Sequence, residues 1–123
     1  MNIQMISSLF VLFSGETDSR RYLPLITAAV YEVMQQLRPE ADGSEARLCY
    51  LAAAVANLRY VQMFGARETA LATYAGNVTR NSDFSHIRFA KQLVLSYRRL
   101  CTDLLKEEDF VFTGIRGLSL IHI

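Results

Sequence analysis

The chain has 123 residues, of which 51% are apolar, and a formal net charge of +1 at pH 7. That length suits one domain with its own hydrophobic core, and that apolar content argues against a disordered chain. Near-neutrality excludes a global field that would gather nucleic acid or an acidic membrane. Arginine outnumbers lysine 11 to two, the lysines being Lys91 and Lys106. Arginine grips carboxylates and phosphates with a planar fork, and arginine richness also follows from GC-rich coding.

The first segment covers residues 2–13. Ile3, Ile6, Phe10 and Phe13 recur at helical spacing, and Gly15 suits a C-terminal cap. Leu9–Phe13 is apolar, but it lacks the basic start and small-residue cleavage pattern of a signal peptide. It is also too short to span a bilayer, so it reads as core. The second helix is expected from about Arg20 to Arg38, with Asp18 or Ser19 as cap. Pro24 is tolerable only near its first turn, so the start falls there or later. Its expected core stripe is Leu23, Ile26, Val30, Met34 and Leu37, and Pro39 stops it.

The third helix is expected over about Ser44–Phe64. Asp42-Gly43-Ser44-Glu45 has capping-box spacing with Asp as cap. Leu48, Leu51, Ala52, Val55 and Leu58 follow at helical spacing, and Ala52, Ala53, Ala54 and Ala56 thin the helix. Small side chains admit close neighbours, which makes this the central helix, with Gly65 as its C-cap. Ala66–Tyr74 either extends this helix or forms a turn of its own. Residues 75–83 carry turn chemistry, and a short extended loop or hairpin is expected around 75–82. The fourth helix is expected over about Ser85–Lys106, with Phe84 as a hydrophobic staple. Ile87, Ala90, Val94, Tyr97, Cys101 and Leu104 make its core stripe. Phe110–Thr113 then reads as extended. The sum is an all-α fold, a small three- to four-helix bundle over residues 1–117.

Residues 118–123 read as a non-native tail. Leu118-Ser119-Leu120-Ile121-His122-Ile123 resembles a translated transposase adapter, so His122 is given no role.

Chemistry-bearing residues are sparse. Cys49 and Cys101 each sit in an apolar helical pattern without a CxxC or Cys/His cluster, as small buried hydrophobes do. His86 has no second histidine for a metal outside the 118–123 tail, and Asp83 three residues before it does not complete a site. No Ser/His/Asp or Cys/His set, nucleophile elbow or phosphate loop is present. Glu107-Glu108-Asp109 reads as an exposed helix end. No enzyme activity, cofactor or metal is expected. Arg88, Lys91, Arg98 and Arg99 fall roughly opposite the core stripe of the fourth helix, with Arg80 in the loop before it. They read either as a solvated face or as a basic surface for an acidic protein or nucleic acid. The aromatic residues do not interleave with these charges as in a single-strand platform, and Tyr22, Tyr31, Tyr50, Tyr60 and Tyr97 follow the helical stripes.

Three features carry a resemblance. An N-terminal helix leads to a helix containing Leu23-Pro24-Leu25-Ile26. A third helix reads Ala46-Arg47-Leu48-Cys49-Tyr50-Leu51-Ala52-Ala53-Ala54-Val55-Ala56. An Ala75-Gly76-Asn77-Val78 loop then enters a long helix ending near Leu105, before Phe110-Val111-Phe112. This layout, over about residues 2–113, is similar to small helical prophage proteins of Gram-positive bacteria. It also resembles the head–tail connector, or adaptor, proteins of tailed bacteriophages. The loop is shorter and the N-terminal segment more apolar than in better-known connectors, and no family-defining residue is carried over.

The resemblance implies a non-catalytic virion part, made in the host bacterial cytoplasm and assembled as a homo-oligomeric ring. Its partners would be the portal and tail-completion proteins, with DNA near but not read by sequence, and no membrane. Gly76, Asn77, Val78 and Thr79, with Phe110, Val111 and Phe112, would form subunit interfaces. Arg80, Arg88, Lys91, Arg98 and Arg99 would form the basic surface. The alternative is a non-catalytic prophage interaction module, an assembly chaperone or regulator.

Overall fold

The computed structural model describes residues 1–74 and 80–106, with side chains placed for 1–64 and 85–106. Four helices follow in order: α1 (Ile3–Ser14), α2 (Leu23–Gln35), α3 (Ala46–Tyr74) and α4 (Arg80–Leu100). A single 3-10 turn, Arg20–Tyr22, leads into α2.

Helix α1 starts where the Asn2 side chain accepts from the Met5 N–H (3.1 Å). It stops at Gly15, whose backbone turns left-handed (φ 79°) while its N–H donates to the Val11 carbonyl (3.0 Å). Pro24 sits in the first turn of α2, where no intrahelical N–H is lost. That helix buries Ile26 of the expected stripe together with Ala29 and Val33, which lie outside it; Val30 and Leu37 of the stripe pack half-buried against the core, and Leu23 and Met34 lie exposed. It also ends at Gln35, short of Arg38, because the next residues pair elsewhere. The Arg38 N–H donates to the Leu104 carbonyl (2.9 Å), and the Lys106 N–H donates to the Gln36 carbonyl (2.8 Å). These bonds make an antiparallel bridge between Leu37 and Leu105.

Helix α3 is the centre, packing against each of the other three. Leu48, Leu51, Ala52, Val55 and Leu58 are fully buried, and so are Ala53, Ala54 and Ala56 between them. A helix buried all round belongs in the middle of a bundle. Each large apolar side chain buried this way contributes about 1.5–3 kcal/mol. The capping box does not form. Asp42 instead accepts from the Ser44 N–H (2.9 Å) and hydroxyl (2.6 Å), and the helix begins at Ala46. Gly65 is not a cap either, since α3 runs on to Tyr74. The residues after Gly65 are mostly good helix formers, and one internal glycine costs only about 1 kcal/mol.

Helix α4 also departs from its expected bounds. It begins at Arg80, so Arg80, Asn81 and Ser82 are helical rather than part of an extended hairpin. Phe84 lies inside the helix and is not a staple. Asn, Ser and Asp suit a helix start as well as a turn. The helix ends at Leu100, where the chain turns: the Leu104 N–H donates to the Cys101 carbonyl (2.8 Å) before the Leu37–Leu105 bridge. The expected stripe holds, with Ala90, Val94, Cys101 and Leu104 buried and Ile87 and Tyr97 half-buried.

Side-chain pairs fix the directions. Leu25 of α2 shares a groove with Met63 and Phe64 of α3, and Glu32 pairs with Arg59. On the other side Tyr50 meets Tyr97, and Arg47 meets Leu100 and Asp103. Both α2 and α4 therefore run antiparallel to α3. No helix among the described residues is long and apolar enough to cross a membrane.

Candidate functional site

The basic residues of α4 divide into two sets. Arg88 and Arg99 are exposed, opposite the core, as their spacing implies. Lys91 and Arg98 are half-buried, flanking the core stripe instead of opposing it. On this flank, at the C-terminal end of α4, lies a cleft of about 280 Å³ lined by Leu95, Arg98, Arg99, Thr102, Leu105 and Lys106. Among the described residues its lining holds three cations, Arg98, Arg99 and Lys106. Burial lowers the pKa of the Arg98 guanidinium, as expected for a charge partly withdrawn from water. Lys106 reaches across to donate to the Gln35 carbonyl (3.2 Å).

The backbone beneath the cleft is tied down by a residue that spacing does not single out. Arg47, at the start of α3, donates to the Leu100 carbonyl (2.8 Å) and to both Asp103 carboxylate oxygens (2.9 and 3.2 Å). It also donates to Glu45 (2.8 Å). The Asp103 bonds, with the Glu45 bond, raise the Arg47 pKa, and Arg47 in turn lowers that of Asp103. Nearby, the Arg38 guanidinium donates to the Leu105 carbonyl (2.6 Å). The Thr102 hydroxyl donates to the Arg99 carbonyl (2.7 Å). The carbonyls that end α4 thus meet donors supplied by α3 and by the turn.

The other end of the bundle has a different character. Glu16, just past α1, accepts from the Tyr22 and Tyr60 hydroxyls (both 2.8 Å). The Tyr22 bond is the main reason its carboxyl is held below the usual range, with Tyr60 adding to it. The same Glu16 bond raises the Tyr22 phenol. Phe10, Tyr22, Tyr60 and Phe64 form a cluster of ring contacts beneath this carboxylate. Beside it opens a mainly apolar groove of about 390 Å³, lined by Pro24, Leu25, Ala28, Met63 and Phe64, with Arg21 and Tyr22. The outward side of α2 continues it, with Tyr31 67% and Met34 51% exposed. The one charged side chain of α2, Glu32, pairs with Arg59 of α3.

Of the interface residues expected from the sequence, Gly76, Asn77, Val78, Thr79, Phe110, Val111 and Phe112 lie outside the described residues. Arg80 is the first residue of α4, and its side chain also lies outside them. His86 is exposed on α4. Cys49 and Cys101 are buried free thiols, and burial pushes Cys101 up to about 11. Among the described residues, no three His, Cys, Asp or Glu side chains converge as a metal site.

Sequence reasoning missed Glu16, Arg47 and Asn57. Glu16 reaches Tyr60, and Arg47 reaches Leu100 and Asp103, all distant in the chain, so no local pattern marks these bonds. Asn57 is buried in mid-α3 at 2% exposure, and its amide oxygen has no hydrogen-bond partner among the described residues. A polar residue inside an apolar run is the one signal that the sequence offered for it. Comparison with known proteins finds no matching family model, curated protein or solved structure.

Proposed function

We propose that this chain is a non-enzymatic structural subunit, a connector joining the portal of a phage head to the tail as one member of an oligomeric ring. The layout described under Sequence analysis motivates the phage setting. The observation that carries the structural role is the unequal length of the helices. The first turns of α2 lie level with Met63 and Phe64 of α3. Helix α3 nevertheless continues over 65–74, roughly 15 Å of further helix. Helix α4 returns from Arg80. A helical hairpin that runs past the start of α2 is suited to reaching a neighbouring subunit. Repeated head-to-tail reach of that kind closes into a ring.

Deleting Gly76–Asn81 tests this reading by sedimentation and circular dichroism. The expected result is loss of oligomers with helical content and melting temperature little changed. Oligomers that survive the deletion would overturn it.

A further inference from the structure

We infer that the outward apolar face of α2 is a docking surface for the chain's own C-terminal segment, Phe110-Val111-Phe112, which lies back along that helix as a strap. The inference rests on the Leu37–Leu105 bridge and on α2, so it does not depend on the ring. It gives these residues a different role from the subunit contact that the connector resemblance implies.

The face itself is apolar and continuous. Leu23, Pro24, Thr27, Ala28, Tyr31 and Met34 are exposed and follow one another at steps of three and four, as one stripe of the helix. None is charged, and Glu32, the one charge of α2, is turned to Arg59. Tyr31 is 67% and Met34 51% exposed, and the groove of Leu25, Ala28, Met63 and Phe64 opens at the N-terminal end of the stripe. A helical stripe of this kind is a packing face.

The chain is aimed at that face. The Lys106 N–H donates to the Gln36 carbonyl (2.8 Å), and the Lys106 ammonium donates to the Gln35 carbonyl (3.2 Å). Because the bridge is antiparallel, the chain passes from Leu104 to Lys106 as its partner runs from Arg38 back to Gln36. It therefore leaves Lys106 heading toward the last turn of α2. The lengths agree as well. Glu107, Glu108 and Asp109 come next, so Phe110 is the first apolar side chain that the segment offers. Phe110 is four residues and Phe112 six residues beyond Lys106, up to about 13 and 20 Å of extended chain. Tyr31 and Leu25 lie five and eleven residues before Gln36, about 8 and 17 Å along the helix. Alternate residues of an extended chain share a side, so Phe110 can meet Tyr31 and Met34 while Phe112 meets the groove. A tether this short gives the segment an effective concentration on the order of millimolar, above that of a second copy in dilute solution.

The chain has no tryptophan, so Phe112→Trp in the full chain supplies a single fluorescent reporter. Its emission is expected to be blue-shifted, and severalfold less quenched by acrylamide, than when Ala28→Glu and Met34→Glu are added at their exposed positions. Circular dichroism confirms that each variant keeps its helices. Phe110→Trp should report the same shift, which guards against one reporter disturbing its own contact. Phe89→Glu, at an exposed site on α4, should leave the emission where it was. Dilution over about a hundredfold should also leave it there, as a contact within one chain requires. Four results would each overturn the inference: emission of a fully exposed indole from both reporters, no change with Ala28→Glu and Met34→Glu, an equal change with Phe89→Glu, or protection that fades on dilution, which would put the segment on a second copy.

Discussion

Glu16 and Asn57 show how much a single polar group decides here. The Glu16 carboxylate is ionised and doubly hydrogen-bonded in the folded chain, so its pKa lies below the ordinary 4.5. A group depressed on folding stabilises the fold above its unfolded pKa, and that stability is lost as pH falls through the folded value. Asp42 and Asp103 are depressed as well and act with the same sign. Melting temperature should therefore drop as pH falls below about 4.5. In Glu16→Gln it should start lower at neutral pH and drop less on acidification. Identical pH slopes in the two proteins would show that the tyrosine pair does not bind the carboxylate. Asn57 works in the opposite direction. Its buried amide oxygen meets no hydrogen-bond partner among the described residues, and a group left so costs about 1–3 kcal/mol. Asn57→Leu, close in size and apolar, should raise the chemical-denaturation midpoint. A lowered midpoint would mean that the amide has a partner that holds the bundle together.

At the scale of elements, helix ends were harder to read than helix existence. Gly15 is the clear case of a legible end. It is left-handed, and a Cβ added there meets nothing within 4 Å. Gly15→Ala should therefore cost backbone strain alone, about 1–2 kcal/mol, measurable as a lower melting temperature without loss of helix. Helix α2 was legible as a helix but not in its orientation. With Glu32 as its one charge, two overlapping apolar stripes fit the same spacing, and packing selected Ile26, Ala29 and Val33. The ends of α2 and α4 were set by pairing between Gln36–Arg38 and Leu104–Lys106. Those partners are nearly seventy residues apart, so local sequence holds no trace of them. Arg47 acts at the same junction. Arg47→Ala should lower the melting temperature modestly at this partly exposed site. Asp103→Asn added to it should cost little more, because both remove one interaction. Full additivity would show that the pair is not coupled.

The whole molecule is a bundle built around α3, and this was the most legible feature. Leu48 to Leu58 have almost no polar side chain to turn outward, so that stretch had to be enclosed. The candidate site was legible only in part. The cations on α4 stood out as a group, but the cleft also needs Leu105 and Lys106, which the turn after Leu100 brings back beside Leu95. Helical spacing along α4 does not foresee that turn. The proposed connector role would set this architecture at the neck of a tailed phage. Sequencing the DNA on both sides of the coding region tests that setting most directly. Genes for portal, capsid and tail proteins beside it are the predicted result, while a neighbourhood without phage structural genes would contradict the connector reading.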